Sequence, residues 1–221
     1  MWGGIAMSHT ASTDFSWLLA DHPDASYPTW SFGRYAPAAF TQYLRLFQPA
    51  QLASMKDSYR EVSWSEVAVA LNLQLSKSVQ FSSMESAKAV PGYQHLVAPV
   101  PDFPSEEWKS RLVAALGPVS LSGECGVIFD GSREHLVSNS VAREALEFHK
   151  LSYRGGYIAL DRVVQLQAFP FYLWAADRSW LLVTPPDMNS SLLGCNREMM
   201  SNLEAAGVEM MAVDASDPVL G

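Results

Sequence analysis

Trp174-Ala175-Ala176-Asp177-Arg178-Ser179-Trp180-Leu181-Leu182-Val183-Thr184 is the stretch that decides the fold. It ends in an apolar run from Trp180 to Val183 and follows a second ring-rich run, Phe169, Phe171, Tyr172 and Leu173. The intervening Ala175 to Ser179 has a length that suits a hairpin connection between two strands. Asp177 can accept a hydrogen bond from its own turn, and the rings of Trp174 and Trp180 can clasp the hairpin from either end. Trp174, Asp177, Arg178 and Trp180 are also residue types that carry binding energy at interfaces, so the hairpin is a candidate docking surface. The hairpin clasp accounts for the same residues without a partner.

The pattern continues on both sides. Downstream, Asn196 can cap a helix whose inner face is Met199, Met200 and Leu203; Gly207 ends it, and Val208 to Val213 reads as a closing strand. Upstream, Tyr153, Tyr157 and Ile158 surround Gly155-Gly156 in another strand-like run, and Val141 to Leu151 predicts a helix with Arg143, Glu144 and Glu147 outward. Val119 to Phe129 predicts a strand broken by Gly123 and Gly126. Before it, Ser105-Glu106-Glu107 opens a helix with acids in the first turn, where they complement the helix dipole. Trp108, Leu112, Val113 and Leu116 give that helix its buried stripe, and Gly117-Pro118 stops it.

The first half reads as helical. Phe15, Leu18 and Leu19, then Phe40, Tyr43, Leu44 and Phe47, then Trp64, Val67, Ala68 and Leu71 recur at helical spacing, and Ser63 with Glu66 makes a capping box for the third set. Tyr27 to Tyr35 alternates rings with small residues and predicts a strand or extended arm. Pro91, Pro99, Pro101 and Pro104 crowd residues 86–105, where lost backbone donors disfavour regular structure, although Tyr93, Leu96, Val97 and Phe103 should anchor the segment. The expected layout is a mainly helical lobe over 1–90, a Pro-rich connector over 91–104 and an α+β lobe over 105–221, or one domain overall. The fold class is α+β: a mainly antiparallel sheet with helices packed against it and a helical N-terminal half.

Composition narrows the function classes. With 221 residues, 48% hydrophobic and 11% aromatic, the chain can fill a large core. Its net charge is −8, and the fifteen basic residues form no run that could follow a phosphate backbone, which disfavours nucleic acid. From Thr184 onward six acids, Asp187, Glu198, Glu204, Glu209, Asp214 and Asp217, face Arg197 alone, so a charged partner should be basic. No stretch nears the roughly 20 apolar residues of a membrane span, and the first residues lack the pattern of a secretory signal. Together with two isolated cysteines, Cys125 and Cys195, this predicts a cytoplasmic protein without a disulfide framework. Asn189-Ser190-Ser191 matches a glycosylation sequon but is expected to be a turn.

No reaction motif stands out. His9, His22, His95, His135 and His149 share no metal-ligand spacing, so neither a metal nor a cofactor is expected. There is no GxSxG elbow, no P-loop and no dinucleotide fingerprint. Cys125 lies in Gly123-Glu124-Cys125-Gly126, where glycines permit close backbone approach; a small buried side chain in a strand is the favoured explanation. Cys195 stands before a helix start, where a thiolate is favoured, or is simply a loop cysteine.

A resemblance adds to this reading. The words from Trp174 to Thr184, with Pro185-Pro186-Asp187 and the run to Gly194, resemble the C-terminal signature of a family of uncharacterised actinobacterial proteins. In that family W-P-x-D-R-x-W is followed by an apolar run and D-x-D-S-T-Y-V-G-G. Tyr35 to Phe40, Tyr43 to Pro49, Val62 to Ala68 and Gln80-Phe81 are similar too. The chain departs from the pattern at Asn189 to Leu193 and at Gly194-Cys195, and the resemblance implies no activity.

Two functions are expected from this reading. One is a non-enzymatic protein-binding role, such as an immunity or defence-associated partner that neutralises a basic protein. The other is a small-molecule-binding or hydrolytic enzyme with a site in a cleft between the two halves, lined by Tyr93, His95, Glu124, Cys125 and Asp177.

Overall fold

The computed structural model describes residues 17–18, 35, 40–53, 58–100, 103–120, 123–130, 144–148, 151–185 and 188–218. Its centre is the expected hairpin. Strands β8 (Tyr172–Ala175) and β9 (Leu181–Val183) pair antiparallel, with Trp174 opposite Leu181. Asp177 Oδ1 accepts from the Ser179 N–H at 3.0 Å, and Arg178 takes φ +61, the left-handed turn conformation. Strand periodicity sends Trp174 to one face of the sheet and Trp180 to the other, so each anchors a different core.

Around the hairpin lies an eight-stranded antiparallel sheet, in the order β11-β1-β10-β9-β8-β5-β7-β6. Its other strands are β1 (Gln42–Phe47), β5 (Glu124–Asp130), β6 (Glu144–Phe148), β7 (Leu151–Ala159), β10 (Ser190–Cys195) and β11 (Met210–Val213). A smaller sheet, β3-β2-β4, is built from β2 (Ala50–Ala53), β3 (Tyr59–Val62) and β4 (Leu96–Val97). Three α-helices have both ends among the described residues: α1 (Trp64–Ala70), α2 (Glu106–Leu116) and α3 (Arg197–Ala205). The class is α+β, as the sequence predicts.

One face of the large sheet carries Leu44, Leu46, Val127, Leu173, Leu182 and Leu193 against Trp108 and Leu112 of α2 and Met199 and Leu203 of α3. The opposite face carries Ile128, Trp174, Leu181 and Val183 against Trp17 and Leu18, both helical. On that face Gly126 is required by packing: a Cβ there would lie 2.0 Å from the Trp174 ring. A third core joins the small sheet to α1 through Phe47, Val62, Trp64, Phe81 and Met84.

Several expectations are corrected. The helical N-terminal half is not found: its described portion contains strands β1 to β3. Within the stretch expected to be helical from Phe40, Gln42–Phe47 forms β1 because it pairs with β10 on one side and β11 on the other, partners about 140–170 residues away that helical spacing cannot reveal. The described part of the helix expected over Val141 to Leu151 is strand instead. Glu144–Phe148 is β6, paired antiparallel with β7. The strand expected from Val119 starts at Glu124, after Gly117–Val119 adds a 3-10 turn to α2 and Gly123 takes φ +65. In the Pro-rich segment, the two residues of β4 pair with β2. Ser190 and Ser191 of the sequon are buried in β10 rather than in a turn.

The capped helix starts are borne out. Ser63, Ser105 and Asn196 each accept from the backbone N–H three residues on, at 3.1, 3.0 and 2.9 Å. The predicted Tyr27–Tyr35 arm lies outside the described residues, apart from Tyr35.

Candidate functional site

A cleft of about 550 Å³ opens where the small sheet, α1, α2 and the α3–β11 turn meet. That volume is in the usual range for ligand sites. Its floor is apolar, formed by Phe47, Pro49 and Trp108. Two indoles fix this floor. Trp108 Nε1 donates to the Phe47 carbonyl at 3.1 Å and Trp64 Nε1 to the Gln48 carbonyl at 2.7 Å, pinning the end of β1 from two helices.

The walls are charged. Arg60 and Glu61 come from β3, Glu66 from α1, Glu107 and Arg111 from α2, and Glu209 from the segment before β11. Arg60 forms a two-pronged pair with Glu66, at 3.1 and 2.9 Å, and Tyr93 donates to the same carboxylate at 3.1 Å. These bonds hold the Glu66 carboxyl below its ordinary pKa, the Arg60 bond contributing most. They also take Glu66 away from the reciprocal half of the capping box. Arg111 bridges Glu61 and Glu107, and Glu61 in turn accepts from the Ser105 hydroxyl. Arg111 Nε is buried without a hydrogen-bond partner.

Glu209 does the work that local sequence cannot. Its carboxylate accepts from the Trp64 N–H at 2.6 Å and the Ser65 N–H at 2.7 Å, completing the cap that Ser63 begins at Glu66. Its position follows from the end of α3. Gly207 at φ +69 lets the Val208 N–H reach the Leu203 carbonyl and the Gly207 N–H the Glu204 carbonyl, and the chain then turns toward α1.

A second, more apolar groove of about 650 Å³ adjoins the cleft and shares Phe47, Ser63, Gly207 and Glu209 with it. It runs beside β11, with Leu75, Met200, Met210 and Met211 among its walls.

The residues singled out from sequence lie elsewhere. Trp174 and Trp180 are fully buried, and Trp180 Nε1 has no hydrogen-bond partner there. Trp174 meets Trp17 and Tyr157 edge to face at 6.3 and 5.9 Å. Asp177 and Arg178 are exposed at the turn, and the Arg178 guanidinium lies 5.2 Å from the Trp17 ring centre. Cys125 is buried in β5, and the Glu124 carbonyl accepts from the Ala176 N–H, so these two adjoin the hairpin. Tyr93 and His95 belong instead to the small sheet's surroundings: Tyr93 bonds Glu66, and the His95 carbonyl accepts from the Ala53 N–H. None of the eight lines either pocket. His9, His22, His135 and His149 lie outside the described residues.

Neither thiol is activated. Burial pushes the Cys125 pKa well up and that of Cys195 up to about 12, and Cys195 is the last residue of β10 rather than a loop residue. No group of three or more metal-ligating side chains occurs among the described residues, nor any helix long and apolar enough to cross a membrane.

No family model, curated protein or solved structure matches this chain. The site is therefore read from its own chemistry. Four carboxylates and two guanidinium groups surround an apolar floor, and the carboxylates accept hydrogen bonds from donors on several different elements. Sequence reading had marked Ser63–Glu66 and Ser105–Glu107 only as helix starts. Only the i,i+4 spacing of Glu107 and Arg111 is local; nothing local indicated that Glu61 and Glu209 would join them, since their contacts span 44 to 145 residues.

Proposed function

We propose that this is a non-enzymatic binding protein whose acidic cleft takes a basic segment of a protein partner. The observation that carries the reading is the charge set of the cleft: Glu61, Glu66, Glu107 and Glu209 against Arg60 and Arg111, over the Phe47 and Trp108 floor. An excess of carboxylates steers a basic partner and fixes its register. The exposed Tyr59 ring at the rim supplies the apolar area that turns charge attraction into a specific contact. A catalytic acid or base works best with a pKa near the operating pH, whereas ion pairing draws Glu66 away from that range. Neutralisation of a basic protein by an immunity or defence-associated factor fits this chemistry.

Calorimetric titration with a synthetic octalysine peptide tests the reading. Binding should weaken roughly fivefold or more from low to high salt. Replacing the exposed Glu107 and the neighbouring rim residue Glu204 by Gln should weaken it further, with thermal stability nearly unchanged. Absence of binding at low salt, or affinity unaffected by salt and by both substitutions, would contradict it.

A further inference from the structure

β11 is an outer strand of the large sheet, and its ladder with β1 defines which of its groups are open. The Phe47 N–H donates to the Glu209 carbonyl at 2.9 Å, and the same register places Met211 opposite Arg45 and Val213 opposite Tyr43. Antiparallel ladders alternate hydrogen-bonded and non-bonded pairs, so Glu209, Met211 and Val213 turn their backbone groups to β1. Met210 and Ala212 turn theirs outward. No hydrogen bond among the described residues engages those outward groups.

Edge strands are commonly protected by a charge, a proline or a bulge. Met210-Met211-Ala212-Val213 has no charge or proline, and its pairing to β1 is unbroken. The 650 Å³ groove runs beside this edge, and methionines give it an adaptable lining. Charge chooses the occupant. Glu204, Glu209, Asp214 and Asp217 flank the edge, and Lys77 beside them is already paired with Asp214 and Asp217 at 2.8 and 2.7 Å. In a second copy paired antiparallel through the outward groups of Met210 and Ala212, Glu209 of one edge would lie one residue from a position opposite Asp214 of the other, acid beside acid.

We infer that an extended partner segment, alternating apolar residues between lysines or arginines, adds to β11 as a further strand and lays its apolar side chains in the methionine-lined groove. The inference rests on the acidic-cleft reading and gives it a mode of attachment.

The test uses the full chain and a short synthetic peptide of alternating valine and threonine with lysine at both ends. Binding should protect the Met210 and Ala212 amides from hydrogen exchange by roughly tenfold or more. Ala212→Pro deletes an outward N–H without touching the β1 ladder, and it should weaken the peptide about tenfold while octalysine still binds. Methylating alternate peptide nitrogens should have the same effect on the unmodified protein, which decides the matter if Ala212→Pro does not fold. Equal affinity for the methylated peptide, or unchanged exchange at β11, overturns strand addition and leaves the cleft reading standing. Failure of octalysine itself overturns the cleft reading and this inference with it. Dimerisation of the unmodified protein that Ala212→Pro abolishes would assign the edge to a second copy and overturn the proposal.

Discussion

The hairpin β8–β9 and the seam around Glu209 are stabilised in opposite ways. The hairpin is apolar on both faces, and its strands lie within the large sheet with every residue of β8 and β9 buried. Its tolerance is set by shape. The seam joins α1, α2, β3 and the approach to β11 through carboxylates and guanidinium groups that remain partly open to solvent. Its tolerance is set by charge. The most recognisable words of the chain thus serve folding, while the groups able to meet a partner are spread along the sequence.

Breaking the hairpin should have the largest effect. Trp174→Ala removes a fully buried indole and should destabilise the fold by about 3–5 kcal/mol in denaturant titration. Gly126→Ala should come next, at about 1–3 kcal/mol, because its new Cβ meets the same ring. Combined with Trp174→Ala, the glycine substitution should lose most of its cost, since the atoms it strikes are gone. A double-mutant cycle reads that coupling directly.

The seam should respond less in stability and more in binding. Glu209→Ala removes both carboxylate bonds to the α1 amides and should cost about 1–2 kcal/mol, measured by thermal unfolding alongside octalysine affinity. A smaller effect appears on acidification. Glu66 and Asp217 have pKa values below the ordinary 4.5 and 3.8, Glu66 chiefly through Arg60 and Asp217 chiefly through the Asp214 N–H and then Lys77. Each therefore adds stability above its unfolded-state pKa and loses it as pH falls through the lower folded-state value. Stability measured from neutral pH downward should begin to fall near pH 4.5. Arg60→Gln should make that fall shallower. The Arg60–Glu66 coupling itself should be smallest, about 0.2–1 kcal/mol by double-mutant cycle, because both side chains are substantially exposed.

What the sequence revealed follows the same division. Helix caps at Ser63, Ser105 and Asn196 were legible because their chemistry is complete within four residues. The hairpin was legible because Trp180 to Val183 is a continuous apolar run beside turn residues. β1 was not. Its apolar residues satisfy helical spacing and strand alternation together, and only pairing with β10 and β11 resolves the ambiguity. The buried guanidinium of Arg45 in that strand shows the same limit. It bonds Ser190 and the Lys77 carbonyl at 2.9 and 2.7 Å, while burial lowers its pKa to about 10. A helical reading places that residue on no particular face. The cleft was illegible for a related reason: its charges come from segments that no periodicity connects.

Hydrogen exchange across the chain, with and without octalysine, tests most directly whether binding belongs to the seam and folding to the hairpin. The account predicts slow exchange in β5, β8, β9 and β10 that the peptide leaves unchanged, with new protection confined to β3, the first turns of α1 and α2 and residues 207–209. Protection centred on the β8–β9 turn at Asp177 and Arg178, with none around Glu209, would contradict it.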